Sequence, residues 1–141
     1  MGEYCKSEAL RILTSFQHLP RLVIFDLDYT LWPFFCHMRC KCEVPRLYPQ
    51  VKGILCALKE VGIGVGIASR SPTPNIANDF LCKLGIKSMI VAEVSKMGVT
   101  SILVANKGVD LRVLWQGLSV FSQPNRFAIK PHYVTPMPPH N

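Results

Sequence analysis

Acidic side chains are scarce in this chain: nine Asp and Glu among 141 residues, against sixteen Lys and Arg. The basic residues, although numerous, are not clustered; no two are adjacent, and they are spread along the whole length. A nucleic-acid surface concentrates its positive charge and interleaves aromatics, so nucleic acid is not an expected partner, whereas scattered positive charge suits small anionic substrates. Long hydrophobic runs are missing too. No stretch approaches the roughly 20 apolar residues that cross a bilayer. Residues 1–18 read as an amphipathic helix carrying charges throughout, which is not the pattern of a secretion signal. Met1-Gly2 lacks the Ser or Thr at position 6 that myristoylation favours, since Lys6 stands there. With neither membrane nor secretion indicated, the six cysteines are expected to be reduced thiols in a cytoplasmic protein.

What is present is a core. Apolar residues make up 49% of the chain, and 141 residues suit a single domain that buries about two-thirds of its unfolded surface. Leu10, Leu13, Phe16 and Leu19 have helical spacing up to Pro20, giving an N-terminal amphipathic helix over 1–19. Leu22–Phe25 is unbroken apolar sequence and predicts a fully buried strand. After an irregular segment over 32–48, Pro49 opens a helix on Val51, Ile54, Leu55, Leu58 and Val61 that Gly62 closes. Gly64–Ala68 predicts a second buried strand. Ile76, Ala77, Phe80, Leu81 and Leu84 predict a helix ended by Gly85, with Cys56 and Cys82 on helix core faces. Ser88–Ala92 suits a strand, Glu93–Met97 a short helix, and Thr100–Ala105 a third convincing strand. Asp110 caps a last helix bearing Leu111, Leu114, Leu118 and Phe121, on which Trp115 is expected to pack. Residues 122–141, with five prolines and no period, are expected to be a disordered tail after a core over 20–121. Alternating strands and helices imply an α/β fold, a Rossmann-like sandwich with a mostly parallel sheet.

The chemistry concentrates at Phe25-Asp26-Leu27-Asp28-Tyr29-Thr30, immediately after the first strand. In parallel sheets ligands bind beyond the carboxyl ends of the strands, where Asp26, Asp28, Ser69 and Arg70 all emerge from two separate strands. An ionised carboxylate attacks phosphorus readily, and Asp26, first out of the strand, is the expected nucleophile. Asp28 is placed to protonate the leaving oxygen and then activate water. Mg²⁺ on Asp26 and the Asp28 carbonyl would bridge to the phosphoryl oxygens and offset the repulsion between carboxylate and phosphate. Backbone N–H groups around Leu27 would cradle the transferring group, while Ser69 and Arg70 bind phosphate oxygens. Thr30 is expected to position the loop. The competing reading is a strand-ending turn in which both aspartates merely accept backbone hydrogen bonds.

Asp26-Leu27-Asp28-Tyr29-Thr30-Leu31-Trp32-Pro33-Phe34, Ala68-Ser69-Arg70-Ser71 and Ser95-Lys96-Met97-Gly98 resemble motifs of the haloacid dehalogenase-like phosphatases. The resemblance covers roughly residues 8–122. It implies Mg²⁺-dependent hydrolysis of phosphomonoesters through an aspartyl phosphate, on phosphotyrosine proteins or phosphorylated sugars, with Phe35 where the family places a pocket aromatic. It also implies parts that are missing: a motif-three lysine, and an acidic pair at the end of a further strand that completes the metal site. Only Asp79, Glu93 and Asp110 follow Arg70 as acidic residues, and the matching blocks abut near 88–94 as if about 40 residues were absent. Alternative splicing is a natural explanation. The missing strand lies beside Leu22–Phe25 in that family, so either Thr100–Ala105 moves in or the sheet is open there. Lys83, Lys87 and Lys96 are the available lysines, and Glu93 the available surrogate ligand.

Cys36-His37-x-x-Cys40-x-Cys42 packs four soft ligands too closely for one tetrahedral zinc and is read as reduced loop cysteines. The expectation is a monomeric Mg²⁺-dependent phosphatase in shortened form. Its rivals are an inactive relative that binds a phosphorylated ligand, and a phospho-acceptor signalling domain using Asp26.

Overall fold

A computed structural model describes residues 2–68, 73–93, 102–103, 108–123 and 132–133. Helix α1 spans Gly2–Thr14 and turns Cys5, Ala9 and Leu13 inward. It stops well before Pro20. The Thr14 and Ser15 hydroxyls donate to the carbonyls of Arg11 and Ile12, and the Ser15 and Phe16 N–H groups bond three residues back, so local side-chain bonds unwind the end. Strand β1 (Leu22–Phe25) leads through the segment holding the short 3₁₀ turn Cys36–Met38 to α2 (Val51–Glu60). Gly62, at φ 82°, ends α2 as the sequence predicts. Strand β2 (Gly64–Ile67), α3 (Pro74–Lys83) and β3 (Ile90–Glu93) follow. Glu93 therefore lies on a strand, not on the short helix expected from 93–97, whose other residues fall outside those described. Helix α4 (Leu111–Phe121) starts at Asp110, whose Oδ1 accepts from the Val113 N–H at 2.8 Å.

Strands β1, β2 and β3 form one parallel sheet in that order, with Leu22 opposite Gly64, Phe25 opposite Ile67 and Ile67 opposite Glu93. Glycine at 64 sits in a tight space. A Cβ there would stand 3.1 Å from Val91 and 3.2 Å from Leu22 on the flanking strands. Helices α1 and α2 pack on each other, α2 against β2 and α4 against α1, giving the α/β sandwich implied by the alternation of elements.

Strand β1 is the edge of this sheet, with no strand on its other side among the described residues. Its burial corrects the expectation of a fully covered strand: Phe25 is buried, Val23 and Ile24 are half-buried, and Leu22 is 37% exposed. Where it is described, the expected strand over 100–105 does not fill the gap. Its described part, β4 (Ile102–Leu103), pairs in parallel with β5 (His132–Tyr133) in a separate two-stranded sheet.

The core joins Leu13, Ile54, Leu58, Val65 and Phe80 with Leu27, Leu31 and Trp32 from the loop after β1. Two sequence expectations fail on helix faces. Cys82 is exposed, because Ala77, Phe80 and Leu81 take the inner face of α3, and Trp115 is 53% exposed on α4 while Leu114 and Leu118 point inward.

Candidate active site

The turn after β1 is built to present two carboxylates. The Leu27 carbonyl accepts from the N–H groups of Thr30, Leu31 and Trp32 at 3.1, 2.9 and 3.5 Å, which winds the chain into a tight loop. That winding puts Tyr29 at φ 54°, a left-handed conformation that costs a non-glycine residue about 1–2 kcal/mol. Burial of the Leu27, Leu31 and Trp32 side chains offsets the strain. Asp26 faces solvent directly beyond the strand, and its Oδ1 accepts from the Leu27 N–H at 2.8 Å. The N–H expected to cradle a phosphoryl group is therefore bonded to the carboxylate beside it.

Asp28 is fixed differently. Its Oδ1 accepts from the Trp32 indole Nε1–H at 2.8 Å and from the Cys36 N–H at 3.0 Å. The indole is fully buried, stacked on Phe34 and edge-on to Phe80, so the donor is held by packing. One carboxylate is thus exposed and weakly restrained, and the other is oriented by two donors. Surrounding protein keeps enough water from Asp26 to push its carboxyl above the ordinary range; the Leu27 N–H draws it back, and the charge of Asp28 adds to the rise.

Two main-chain bonds pin the loop from outside. The Tyr48 N–H donates to the Leu31 carbonyl and the Val109 N–H to the Thr30 carbonyl, each at 2.9 Å. At Thr30 it is the backbone carbonyl that takes part in this pinning. Gly108, at φ 66°, lies flat against the Tyr48 ring and leaves no room for a Cβ. Above the loop, Phe35 is 46% exposed and meets Tyr29 edge to face, with ring centroids 4.8 Å apart. The pair forms an exposed aromatic surface on the segment that follows the aspartate turn.

Ser69 and Arg70 lie outside the described residues. The Ala68 N–H does donate to the Phe25 carbonyl at 2.9 Å, so the chain leading to them runs beside the start of the aspartate loop. Lys83 is committed elsewhere: it pairs with Asp79 at 3.1 Å and donates to the carbonyls of Lys41 and Glu43. Among the described residues no three His, Cys, Asp or Glu side chains gather as a metal group, and that includes the Cys36–Cys42 segment. Asp26 and Asp28 supply hard oxygen donors of the kind Mg²⁺ takes, and Mg²⁺ commonly binds through one or two carboxylates with substrate phosphate and water completing its shell. The pair fits such a shared site, not a closed protein cage. Tyr48 and Gly108 were not singled out from sequence, and the part that Trp32 and Cys36 play in holding Asp28 was not foreseen. The i, i+4 spacing of Asp28 and Trp32 was the one available signal.

The acid phosphatase family profile matches residues 18–95. Human magnesium-dependent phosphatase 1 is 30% identical over 157 positions, taking in 74% of this chain and 89% of that protein. Only 74% of the 141 residues here take part in those 157 positions, so on the order of fifty of them face no residue of this chain. Among the described residues, no helix is long and apolar enough to cross a membrane.

Proposed function

We propose that this chain, which belongs to the acid phosphatase family, is a Mg²⁺-dependent phosphatase that hydrolyses phosphomonoesters through an aspartyl phosphate, an acyl phosphate formed on Asp26. The observation that carries the reading is the division of labour between the aspartates: Asp26 open to solvent at the end of β1, Asp28 locked by Trp32 and Cys36. An Asp26 oxygen attacks phosphorus as the bond to the leaving oxygen breaks, and Asp28 gives that oxygen its proton. Asp28 then takes a proton from water as the water oxygen attacks phosphorus, breaking the bond to Asp26 and releasing inorganic phosphate. Mg²⁺, when bound, would be held by Asp26 and the Asp28 carbonyl and would supply charge neutralisation between the Asp26 carboxylate and the phosphoryl oxygens.

The Tyr29–Phe35 surface favours a substrate whose phosphate is carried on an aromatic ring, which supports phosphotyrosine over phosphorylated sugars. Ser69 and Arg70 remain the proposed phosphate contacts. All six cysteines are free, which fits a cytoplasmic location. The open edge of β1 favours one second reading, an inactive relative that only binds phosphorylated ligand.

Hydrolysis of para-nitrophenyl phosphate by the purified chain, with and without Mg²⁺ and with Asp26→Asn, separates the two. Turnover lost in the variant and in chelator supports catalysis. A folded chain that binds phosphate without turnover establishes the second reading.

A further inference from the structure

Cys40 and Cys42 are exposed thiols one residue apart, on a segment tied to the aspartate loop at both ends. At one end the Cys36 N–H holds Asp28, and at the other the Tyr48 N–H holds Leu31. The chain between them turns sharply, because the Glu43 N–H donates to the Cys40 carbonyl at 3.0 Å. A turn draws residues i and i+2 in from the roughly 7 Å of extended chain toward the α-carbon spacing of about 4.4–6.8 Å that disulfides use. The Cys42 N–H points at the Cys40 sulfur, 3.3 Å away. Lys83 reaches across from α3 and clamps the carbonyls of Lys41 and Glu43, which fixes the turn and brings a positive charge beside it.

We infer that Cys40 and Cys42 are an oxidation site, closing to a reversible intramolecular disulfide under hydrogen peroxide. The two thiols are unequal. The thiol of Cys42 hydrogen-bonds to Cys40 and holds its ionisation below the ordinary thiol range, aided by the Cys42 N–H and the Lys83 charge. The same bond pushes Cys42 up. Cys40 is therefore the attacking sulfur and Cys42 the resolving one. The Cys40 thiolate attacks one peroxide oxygen; the O–O bond breaks, hydroxide leaves with the electron pair, and Cys40 becomes a sulfenic acid. Cys42 then attacks that sulfur, losing its proton, and the sulfenic oxygen departs as water. In sum two thiols and one peroxide give a disulfide and two waters, sulfur being oxidised and peroxide reduced. Cys5 and Cys36 are buried and take no part.

The test uses the reduced full chain, titrated with hydrogen peroxide, alkylated, and digested with a protease that does not cut at Lys41. The expected result is a peptide spanning 40–42 that is lighter by two hydrogens, carries no alkyl group, and regains two alkylatable thiols after dithiothreitol. Cys42→Ser should expose the first step, since Cys40 then reacts with dimedone as a sulfenic acid, while Cys40→Ser leaves Cys42 alkylatable. Both positions lie at the surface, so neither variant threatens folding. Full alkylation of Cys40 and Cys42 at peroxide doses that oxidise Cys82 overturns the inference, as does a disulfide from Cys40 to Cys82 or to a second chain.

Discussion

Replacing Trp32 by Phe removes one donor from Asp28 and little else that touches the reacting groups. The indole Nε1–H gives Asp28 a 2.8 Å bond, while the Cys36 N–H remains at 3.0 Å. A hydrogen bond to a charged group contributes about 1.5–3 kcal/mol, and since one donor stays, the lower end applies. If that amount is expressed in the transition state, hydrolysis slows about tenfold. The loss should depend on the leaving group. Para-nitrophenolate departs with little help, whereas unsubstituted phenolate and alkoxides need the proton that Asp28 carries. The smaller ring also leaves space beside Phe34 and Phe80, so stability should fall by about 1–2 kcal/mol, less than the 3–5 kcal/mol of truncation to Ala. Steady-state rates on para-nitrophenyl phosphate and phenyl phosphate, with a thermal melt to show a folded variant, make the comparison. Equal losses on both substrates would refute the orienting role of Trp32. No loss on either would remove Asp28 from the chemistry.

The raised Asp26 carboxyl carries a pH signature. Such a group favours the fold below its ordinary ionisation range, and that contribution disappears as pH rises through the folded value. Asp26→Asn should therefore melt higher than the native chain at neutral pH, with the gap closing in acid; a melt lower at neutral pH contradicts the assigned direction. In the native enzyme, activity should rise with pH on an acid limb lying above that of an unperturbed carboxylate, which a pH–rate profile reads. Gly53→Ala tests the contact of α1 on α2, because its Cβ would stand 2.7 Å from the Cys5 Cβ and 2.9 Å from the Lys6 nitrogen. A loss of about 1–3 kcal/mol in urea unfolding is expected, with catalysis per folded molecule unchanged. Gly108→Ala should cost at least about 1–2 kcal/mol for its left-handed backbone alone and displace the Tyr48 ring as well. Here activity should fall together with stability, since Tyr48 and Val109 pin the aspartate loop.

Local sequence carried most of the framework. The cap at Asp110, the stop at Gly62 and the bounds of β1 follow from side-chain chemistry and spacing within a few residues. The paired aspartates were legible because a strand must end where two carboxylates meet solvent. What stayed hidden depends on partners distant in sequence. The exposure of Leu22 goes with an edge that carries no further strand among the described residues, which no period within Leu22–Phe25 encodes. The pinning of the loop by Tyr48 and Val109 spans 17 and 79 residues of sequence, and neither residue type announces it. The aromatic support of Asp28 was within reach, four residues on, but an indole beside Phe34 reads first as core.

The same contrast explains how a shortened member of the family can keep one half of its site. Asp26 is placed by the end of β1, and Asp28 is held by donors four and eight residues further along. Neither depends on a strand across the open edge. A metal cage depends on such strands, because its further carboxylates have to come from other strand ends. An internal segment missing relative to the family therefore leaves, on the proposed reading, the nucleophile and acid in register while thinning the charge that would hold a cation. On the proposed reading, phosphate becomes a necessary ligand for Mg²⁺ in this chain, with cation and substrate binding together where a complete site would hold the cation first. Affinity for the metal, more than the geometry of the two aspartates, then limits the rate.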